Sequence, residues 1–202
     1  MKASLQQVRL SNWMEHQASS SWMIIDWSSE FFRQNRELIP PQTGGCRVYT
    51  SQDIQNTEVS RYSVRVQSEN PMELTSTGLI PNVWRPLQGV GQCDAILFPT
   101  SDTENDALLL IETKYSESDE AWQNYKKSAV KQITDTISQL SNKSCPIFKR
   151  NLFGLISCPL LDTMGATAFS PEEFMDIYNQ HRLSIHMGNS ATFQDAQNIS
   201  FI

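Results

Sequence analysis

Three charged residues stand beside two neighbouring apolar stretches of the chain. Asp94 comes just before the first stretch, and Glu112 and Lys114 come at the end of the second. A polar segment, residues 99–106, separates the stretches and predicts a turn, so the two should pair as an antiparallel hairpin. If the turn is centred on Thr103, Asp94 lies directly opposite Glu112. Glu112 and Lys114 are two residues apart, so their side chains leave the same face of their strand.

The cost of burying charge gives this cluster a chemical meaning. Residues 108–111 are apolar on both faces, as expected of a central strand, and charges at its end must be paired or bound to a metal. Two opposed carboxylates repel unless a cation or proton lies between them, and Mg²⁺ prefers such oxygen ligands. Asp94 and Glu112 thus predict a metal site where Lys114 orients or helps to deprotonate an attacking water. A structural salt bridge is the alternative, and the three residues alone favour neither.

The context of the hairpin resembles the PD-(D/E)XK nuclease superfamily. Residues 92–98, the polar turn, residues 108–116 and a following helix with a central glutamine carry this resemblance, which covers about residues 90–140. It implies a restriction-endonuclease-like core in the order αβββαβ, and hydrolysis of phosphodiester bonds, most of all in DNA, with Mg²⁺ or Mn²⁺ as cofactor. The signature also occurs in proteins that have lost activity, so a catalytically silent binding or accessory protein is the alternative.

The motif residues of that family can be placed on this sequence one by one. Asp94 and Glu112 match the metal-binding acids, and Lys114 matches the catalytic lysine. Cys93 stands where the family name has proline, a position that is loosely kept. All three charged residues of the motif are therefore present.

Two further site residues follow only from the resemblance. Many relatives carry a glutamine near the site on the helix after the motif, and Gln132 is a better candidate than Gln123. The alternative for Gln132 is a position that simply borders the apolar face of its helix. Many relatives also have a glutamate metal ligand on the first core helix, where Glu30 is favoured over Glu37 because aromatic neighbours should anchor it.

The remaining patterns predict one domain with a mixed central sheet flanked by helices. Its core should span about residues 22–160, and residues 161–202 should add a helix and strands. Ser170, Pro171 and two glutamates after them are typical of a helix start. The predicted helices are residues 4–37, 119–140 and 171–180, the predicted strands are residues 47–50, 60–67, 93–98, 107–115, 152–157, 184–187 and 199–202, and residues 71–91 are predicted to be an irregular surface excursion.

Charge and hydropathy restrict the function classes. The net charge of −6 argues against a protein that coats nucleic acid by bulk electrostatics. One local basic strip could still approach a phosphate backbone, although a solvated helix face explains it equally well. No apolar run has the length of a membrane span, and the amino terminus lacks the pattern of a signal peptide, so a cytoplasmic protein without membrane contact is expected. The acidity makes a homodimer a candidate assembly. The strip comprises Lys126, Lys127, Lys131, Lys143, Lys149 and Arg150.

The four cysteines are widely spaced and form no CxxC pair, which predicts reduced thiols. A zinc site from Cys145, Cys158, His181 and His186 was the one alternative, but its spacing fits no zinc-finger pattern. Buried thiols and surface histidines are therefore expected.

Overall fold

The computed structural model describes residues 13–39, 45–50, 60–78, 90–101, 103–116, 118–142, 147–161 and 169–201. They form a mixed α/β structure in which nine strands share one sheet. The strands are β1 (Trp13–Asp26), β2 (Cys46–Thr50), β3 (Val64–Gly78), β4 (Ala95–Pro99), β5 (Leu108–Thr113), β6 (Leu152–Ser157), β7 (Leu183–Met187), β8 (Ser190–Phe193) and β9 (Ile199–Phe201). The α-helices are α1 (Glu30–Gln34), α2 (Asp119–Asn142) and α3 (Pro171–His181), and the 3-10 helices are Arg36–Leu38 and Ile147–Lys149.

The sheet combines antiparallel and parallel pairs, so the predicted mixed sheet is confirmed. Its main strand order is β2-β1-β3-β4-β5-β6-β7. Strands from β2 to β5 pair antiparallel, whereas β5, β6 and β7 run parallel. A parallel neighbour requires a crossover, and α2 provides it between β5 and β6. Strand β8 pairs parallel with β3, and β9 pairs with β8.

Helix α2 covers one face of the central strands, which we call the helix face. Ile133 and Ile137 of α2 belong to the same buried cluster as Ile96 of β4, Leu110 of β5 and Ile156 of β6. All five side chains are at most 1% exposed, so the helix is fixed firmly on the sheet. Burial of such apolar area is the main force that holds it there.

Strands cover the opposite face of the same central strands. Trp22 of β1, Val64 of β3 and Phe193 of β8 share a buried cluster with Leu109 and Ile111 of β5. In the described ranges no helical residue belongs to this cluster. Residues of β1, β3 and β8 thus pack against this face of β5, although β1 and β3 belong to the same sheet, whereas helices were predicted to flank the sheet.

The predicted helix over residues 4–37 is wrong in its described part. Residues 13–26 form β1, which pairs antiparallel with both β2 and β3, and only α1 and a 3-10 turn are helical. The register of β1 against β3 shifts twice between His16 and Ser21. These irregularities hide the alternation of buried and exposed positions, and pairing with distant strands outweighs the local pattern. Residues 4–12 lie outside the described residues.

The predicted irregular excursion over residues 71–91 is wrong over residues 71–78, whereas residues 90–91 are irregular as predicted. Strand β3 continues to Gly78, and its register passes from Gln67 opposite Ser21 to Met72 opposite Ser19. Pro71 lies in this irregular stretch, where proline is tolerated because the ladder is interrupted. Residues 79–89 lie outside the described residues.

The hairpin and the later elements follow the prediction closely. The observed partners, from Ala95 with Ile111 to Leu97 with Leu109, confirm the register of a turn centred on Thr103. Strand β6 and helix α2 are confirmed, and β8 was not predicted. In the described parts of the chain, no helix is both long and apolar enough to cross a membrane.

Candidate functional site

The open end of the β4–β5 hairpin brings the predicted carboxylates together. The Asp94 amide donates to the carbonyl of Ile111 over 2.9 Å, although Ile111 is the register partner of Ala95, so the ladder becomes irregular at Asp94 and the predicted pairing of Asp94 with Glu112 is not formed. The Asp94 Oδ2 atom accepts hydrogen bonds from the amide and the hydroxyl of Thr113, both over 2.6 Å. These bonds fix the Asp94 carboxylate at the sheet edge beside the last residue of β5.

Glu112 is fully buried, with 0% of its surface exposed. It follows Leu108 and Leu110 on the helix face, because alternate residues of a strand share a face. Its Oε1 atom accepts a hydrogen bond from the ammonium group of Lys114, whereas its Oε2 atom is buried and has no hydrogen-bond partner among the described residues. A buried carboxylate oxygen left unpaired costs free energy, so this end of the strand is unsatisfied in the protein alone.

Lys114 and Gln132 complete the contact between the hairpin and α2. The Lys114 Nζ atom donates to the Gln132 Oε1 atom over 3.0 Å as well as to Glu112. The Gln132 Nε2 atom donates to the Gln92 carbonyl over 3.1 Å. Gln132 thus holds the lysine and the segment before Asp94 at once. The side chain of Gln123 lies outside the described residues.

Helix α2 also holds the backbone that leads into Asp94. The Gly91 amide donates to the Asp135 Oδ2 atom over 2.7 Å, and the Cys93 amide donates to the Thr136 hydroxyl over 2.9 Å. The Gln139 side chain donates to the Gly91 carbonyl over 2.9 Å. Residues 91–93 are therefore tied to the helix before the chain enters β4.

The two carboxylates are electrostatically strained. Burial, followed by the charge of Asp26, raises the pKa of Asp94 from 3.8 to about 6, against the lowering effects of Lys114 and Thr113. Burial, followed by Asp94, raises the pKa of Glu112 well above its ordinary value. One ammonium group is thus too little positive charge for the site.

The same negative charges favour the charged form of Lys114. Burial lowers its pKa, but the carboxylates of Glu112 and Asp94 outweigh that effect, and the pKa of Lys114 is raised above its ordinary value. Its side chain is 22% exposed, so the ammonium group keeps access to solvent. In this arrangement Lys114 is a cation and a hydrogen-bond donor.

Asp26 is the carboxylate that the sequence analysis missed. It ends β1 and is 8% exposed, and its Oδ1 atom accepts hydrogen bonds from the amide and hydroxyl of Ser28. Its own amide donates to the hydroxyl of Tyr115, the residue after Lys114, over 3.2 Å. Asp26 directly follows the apolar residues 23–25. Assignment of these residues to a strand would have identified Asp26 as a carboxylate at a strand end.

The structure does not bring Glu30 into this cluster. Its carboxylate accepts hydrogen bonds from Arg33 and Gln34 of α1 and its side chain is 68% exposed. Among the described residues, no hydrogen bond or ion pair links it to Asp94. Glu37 is also exposed, in the 3-10 helix that follows. Asp26 is therefore the third acid of the site, beside Asp94 and Glu112, and its charge acts on Asp94.

The donor set fits an open Mg²⁺ site better than a closed metal cage. Within the described ranges, no three histidine, cysteine, aspartate or glutamate side chains converge on one point. Mg²⁺ commonly takes only one or two carboxylates and completes its shell with water and phosphate oxygens. The unpaired Glu112 Oε2 atom and the raised pKa values of Asp94 and Glu112 both fit a cation at this position.

The alternative zinc residues take other roles. The Cys158 thiol is buried and contacts the backbone of Ser116, and the His186 ring stacks on Phe201 with centroids 4.9 Å apart. Burial lowers the pKa of His181 and of His186. Cys145 lies outside the described residues. Cys46, Cys93 and Cys158 are buried, and no disulfide joins them to one another.

The basic strip is largely neutralised by acidic partners. Lys126 pairs with Glu173 over 2.7 Å, and Lys131 pairs with Asp135. Arg150 is only 5% exposed. Lys149 pairs with Glu104 over 3.1 Å, and Lys143 lies outside the described residues. The strip therefore offers a phosphate backbone less attraction than its sequence suggests.

Comparison with protein-family models, curated proteins and solved structures finds no match to this chain. The chemistry of the site therefore rests on its own geometry. Asp94, Glu112, Lys114 and Gln132 are close together, Asp26 is added to them, and Glu30 is not.

Proposed function

We propose that this protein is a nuclease dependent on Mg²⁺ or Mn²⁺ that hydrolyses phosphodiester bonds, most of all in DNA. The unpaired, buried Oε2 atom of Glu112 carries the proposal. A structural salt bridge would satisfy both oxygens of a buried carboxylate, whereas here one buried oxygen has no hydrogen-bond partner among the described residues. A cation and a phosphate group supply the missing partners.

The topology supports a restriction-endonuclease-like core. Strands β3, β4 and β5 form an antiparallel meander, α2 follows, and β6 returns parallel to β5. This order agrees with the βββαβ part of the αβββαβ core. The helix before it is only the five-residue α1, so the first element of the proposed core is much reduced.

The residues divide the chemistry between them. Asp94 and Glu112 would hold the cation, which when bound polarises a phosphate oxygen and lowers the pKa of a water. Lys114 donates hydrogen bonds and offsets the negative charge that develops at phosphorus. Its raised pKa favours this cationic role over that of a general base. Gln132 fixes the ammonium group and leaves it less freedom to turn away.

A catalytically silent binding protein is the second candidate. The ion pair between Lys114 and Glu112 favours it, because the same contact could serve stability alone. The two-carboxylate donor set among the described residues also allows a site that binds a cation without turnover. Cytoplasmic location, a DNA partner and a homodimer remain predictions for both candidates.

A cleavage assay with Mg²⁺ or Mn²⁺ tests the first candidate against the second. Plasmid, linear duplex, single-stranded DNA and RNA are incubated with the wild type and with Lys114→Ala. Loss of one preorganised donor typically costs about 10²–10³-fold in rate, so we expect the variant to lose cleavage to that extent. Lys127→Ala is the control, because Lys127 is an exposed lysine of the same helix as Gln132. Equal rates for wild type and Lys114→Ala would exclude the assigned site.

A further inference from the structure

Tyr125 is an exposed aromatic residue on the side of α2 that faces the sheet. It is 41% exposed, one of three large hydrophobic side chains that are exposed in the described residues. By helix geometry it lies seven positions before Gln132 and about 20° from it around the axis. Thr136, on the same stripe, is fully buried. Tyr125 thus points toward the sheet side of the helix but is not covered there.

The exposure follows from the position of Tyr125 along the axis. Gln132 is already level with Lys114, the residue that follows the end of β5. Since α2 runs back over the sheet from that end, Tyr125 lies about 10 Å further out, past the last residue of the strand. Tyr125 therefore lies on the same stripe of α2 as Gln132, about two turns nearer the start of the helix. A nucleotide next to the phosphate at the site can reach this distance.

The aromatic ring, more than charge, decides what kind of substrate this position suits. On α2, Lys126 is paired with Glu173 and Lys131 with Asp135, whereas Lys127 is exposed. Binding of a duplex backbone depends on such cations. Binding of a single strand also uses cations, but an aromatic ring adds stacking on the face of an unpaired base, which a base inside a duplex does not offer.

We propose that Tyr125 stacks on an unpaired base next to the phosphate that is cleaved, so that the enzyme selects single-stranded DNA or frayed duplex ends. This inference rests on the proposed nuclease function. Tyr125 is a specificity-determining residue in this role. It contributes to binding of the strand, whereas Lys114 and the carboxylates act on the phosphate.

The test compares Tyr125→Ala, Tyr125→Phe and the wild type on labelled oligothymidylate and on its duplex with oligoadenylate. Two readouts are taken: cleavage with Mn²⁺, and fluorescence anisotropy with the Lys114→Ala background to prevent cleavage. Loss of one stacked base typically weakens binding by about tenfold or more. We expect Tyr125→Ala to raise KM and Kd for the single strand to that extent with little change in kcat, and Tyr125→Phe to retain both. Met175→Ala is the control, because Met175 is 49% exposed on α3.

The outcomes distinguish failure of the stacking role of Tyr125 from failure of the proposed nuclease function. Wild-type cleavage with equal single-strand KM and Kd for Tyr125→Ala would overturn the stacking role alone. Equal losses on single strand and duplex would also overturn it, because selectivity would not depend on the ring. If no substrate is cleaved but anisotropy depends on the Tyr125 ring, the nuclease function fails and the binding site stands. Tyr125 is exposed, so its variants should fold as the wild type does.

Discussion

The two ends of the β4–β5 hairpin both bury a carboxylate, but they treat it differently. At the turn end, Asp106 is 2% exposed and accepts hydrogen bonds from the Ser101 hydroxyl over 3.1 Å and from the Thr103 amide over 2.8 Å. The Thr103 hydroxyl also donates to it. At the open end, Glu112 is fully buried and one of its oxygens has no partner.

The difference separates a structural acid from a functional one. Asp106 satisfies the backbone of the turn, and its own oxygens are satisfied in return. Among the described residues Glu112 receives only Lys114, and the charge of Asp94 acts on it, so it carries a cost that the fold alone does not repay. Residues that lower stability without a structural return are typical of functional sites.

Substitution of the two acids, one at a time, gives the largest expected effect on the free energy of unfolding. Asp106→Ala leaves three donors without their acceptor and should lower the free energy of unfolding by roughly 3 kcal/mol. Glu112→Gln removes a buried charge and should change the free energy of unfolding by less than about 1 kcal/mol. Urea unfolding measures both. A loss for Glu112→Gln as large as that for Asp106→Ala would show that Glu112 is structural as well.

The pH dependence of stability sharpens the same contrast at Asp94. Its pKa is raised to about 6 in the folded protein, above the ordinary 3.8. The folded state therefore binds the proton more tightly, and stability that is present below the ordinary pKa is lost as the pH rises through about 6. Asp94→Asn keeps an acceptor for Thr113 but cannot ionise, so at neutral pH it should be more stable than the wild type by roughly 1–3 kcal/mol.

Urea unfolding in EDTA at several pH values measures this gain. The advantage of Asp94→Asn should shrink as the pH falls below about 5, where the wild-type carboxyl also becomes protonated. Mn²⁺ should stabilise the wild type and leave the variant unchanged. A gain that is constant across pH would contradict the charge explanation.

The smallest expected effect concerns the segment that carries Asp94. A Cβ atom at Gly91 would lie 3.0 Å from the Asp135 Oδ2 atom and 3.1 Å from the Gln132 Cα atom, so the segment or α2 must shift. Gly91→Ala should lower stability by about 1 kcal/mol and slow cleavage, because Gln132 moves relative to Lys114. Gly154→Ala is the control, since its Cβ meets only side chains of Ile185 and Leu183. Equal kcat losses in both variants would mean that the shift is not local to the site.

Local patterns were sufficient to predict the hairpin, α2 and α3. The Ser170 hydroxyl accepts from the Glu173 amide, and the Glu173 carboxylate accepts from the Ser170 amide, as the helix-start pattern indicates. The polar turn between residues 99 and 106 determines the register, because two strands joined by a short turn have few alternatives. Glu112 and Lys114 follow from that register, whereas the irregularity at Asp94 does not.

Contacts between distant parts of the chain could not be predicted in the same way. Trp22 pairs with Val66 of β3 on one side and with Thr50 of β2 on the other, and no local pattern of residues 13–26 specifies these partners. Asp26 was missed for this reason, since its approach to the site depends on how β1 folds over the sheet. The neutralisation of Lys126 by Glu173, 47 positions away, was hidden for the same reason.

The parallel pairing of β8 with β3 affects the order in which the molecule can fold. Arg65 is the register partner of Ser190, so the cluster behind β4 and β5 closes only after strands far apart in the chain have met. Such nonlocal pairing is slow because loop-closure entropy must be overcome before the contacts form. During synthesis, Asp94 and Glu112 leave the ribosome well before residues 190–193. The face of the hairpin opposite Glu112 is therefore covered late, after the hairpin that carries the carboxylates has formed.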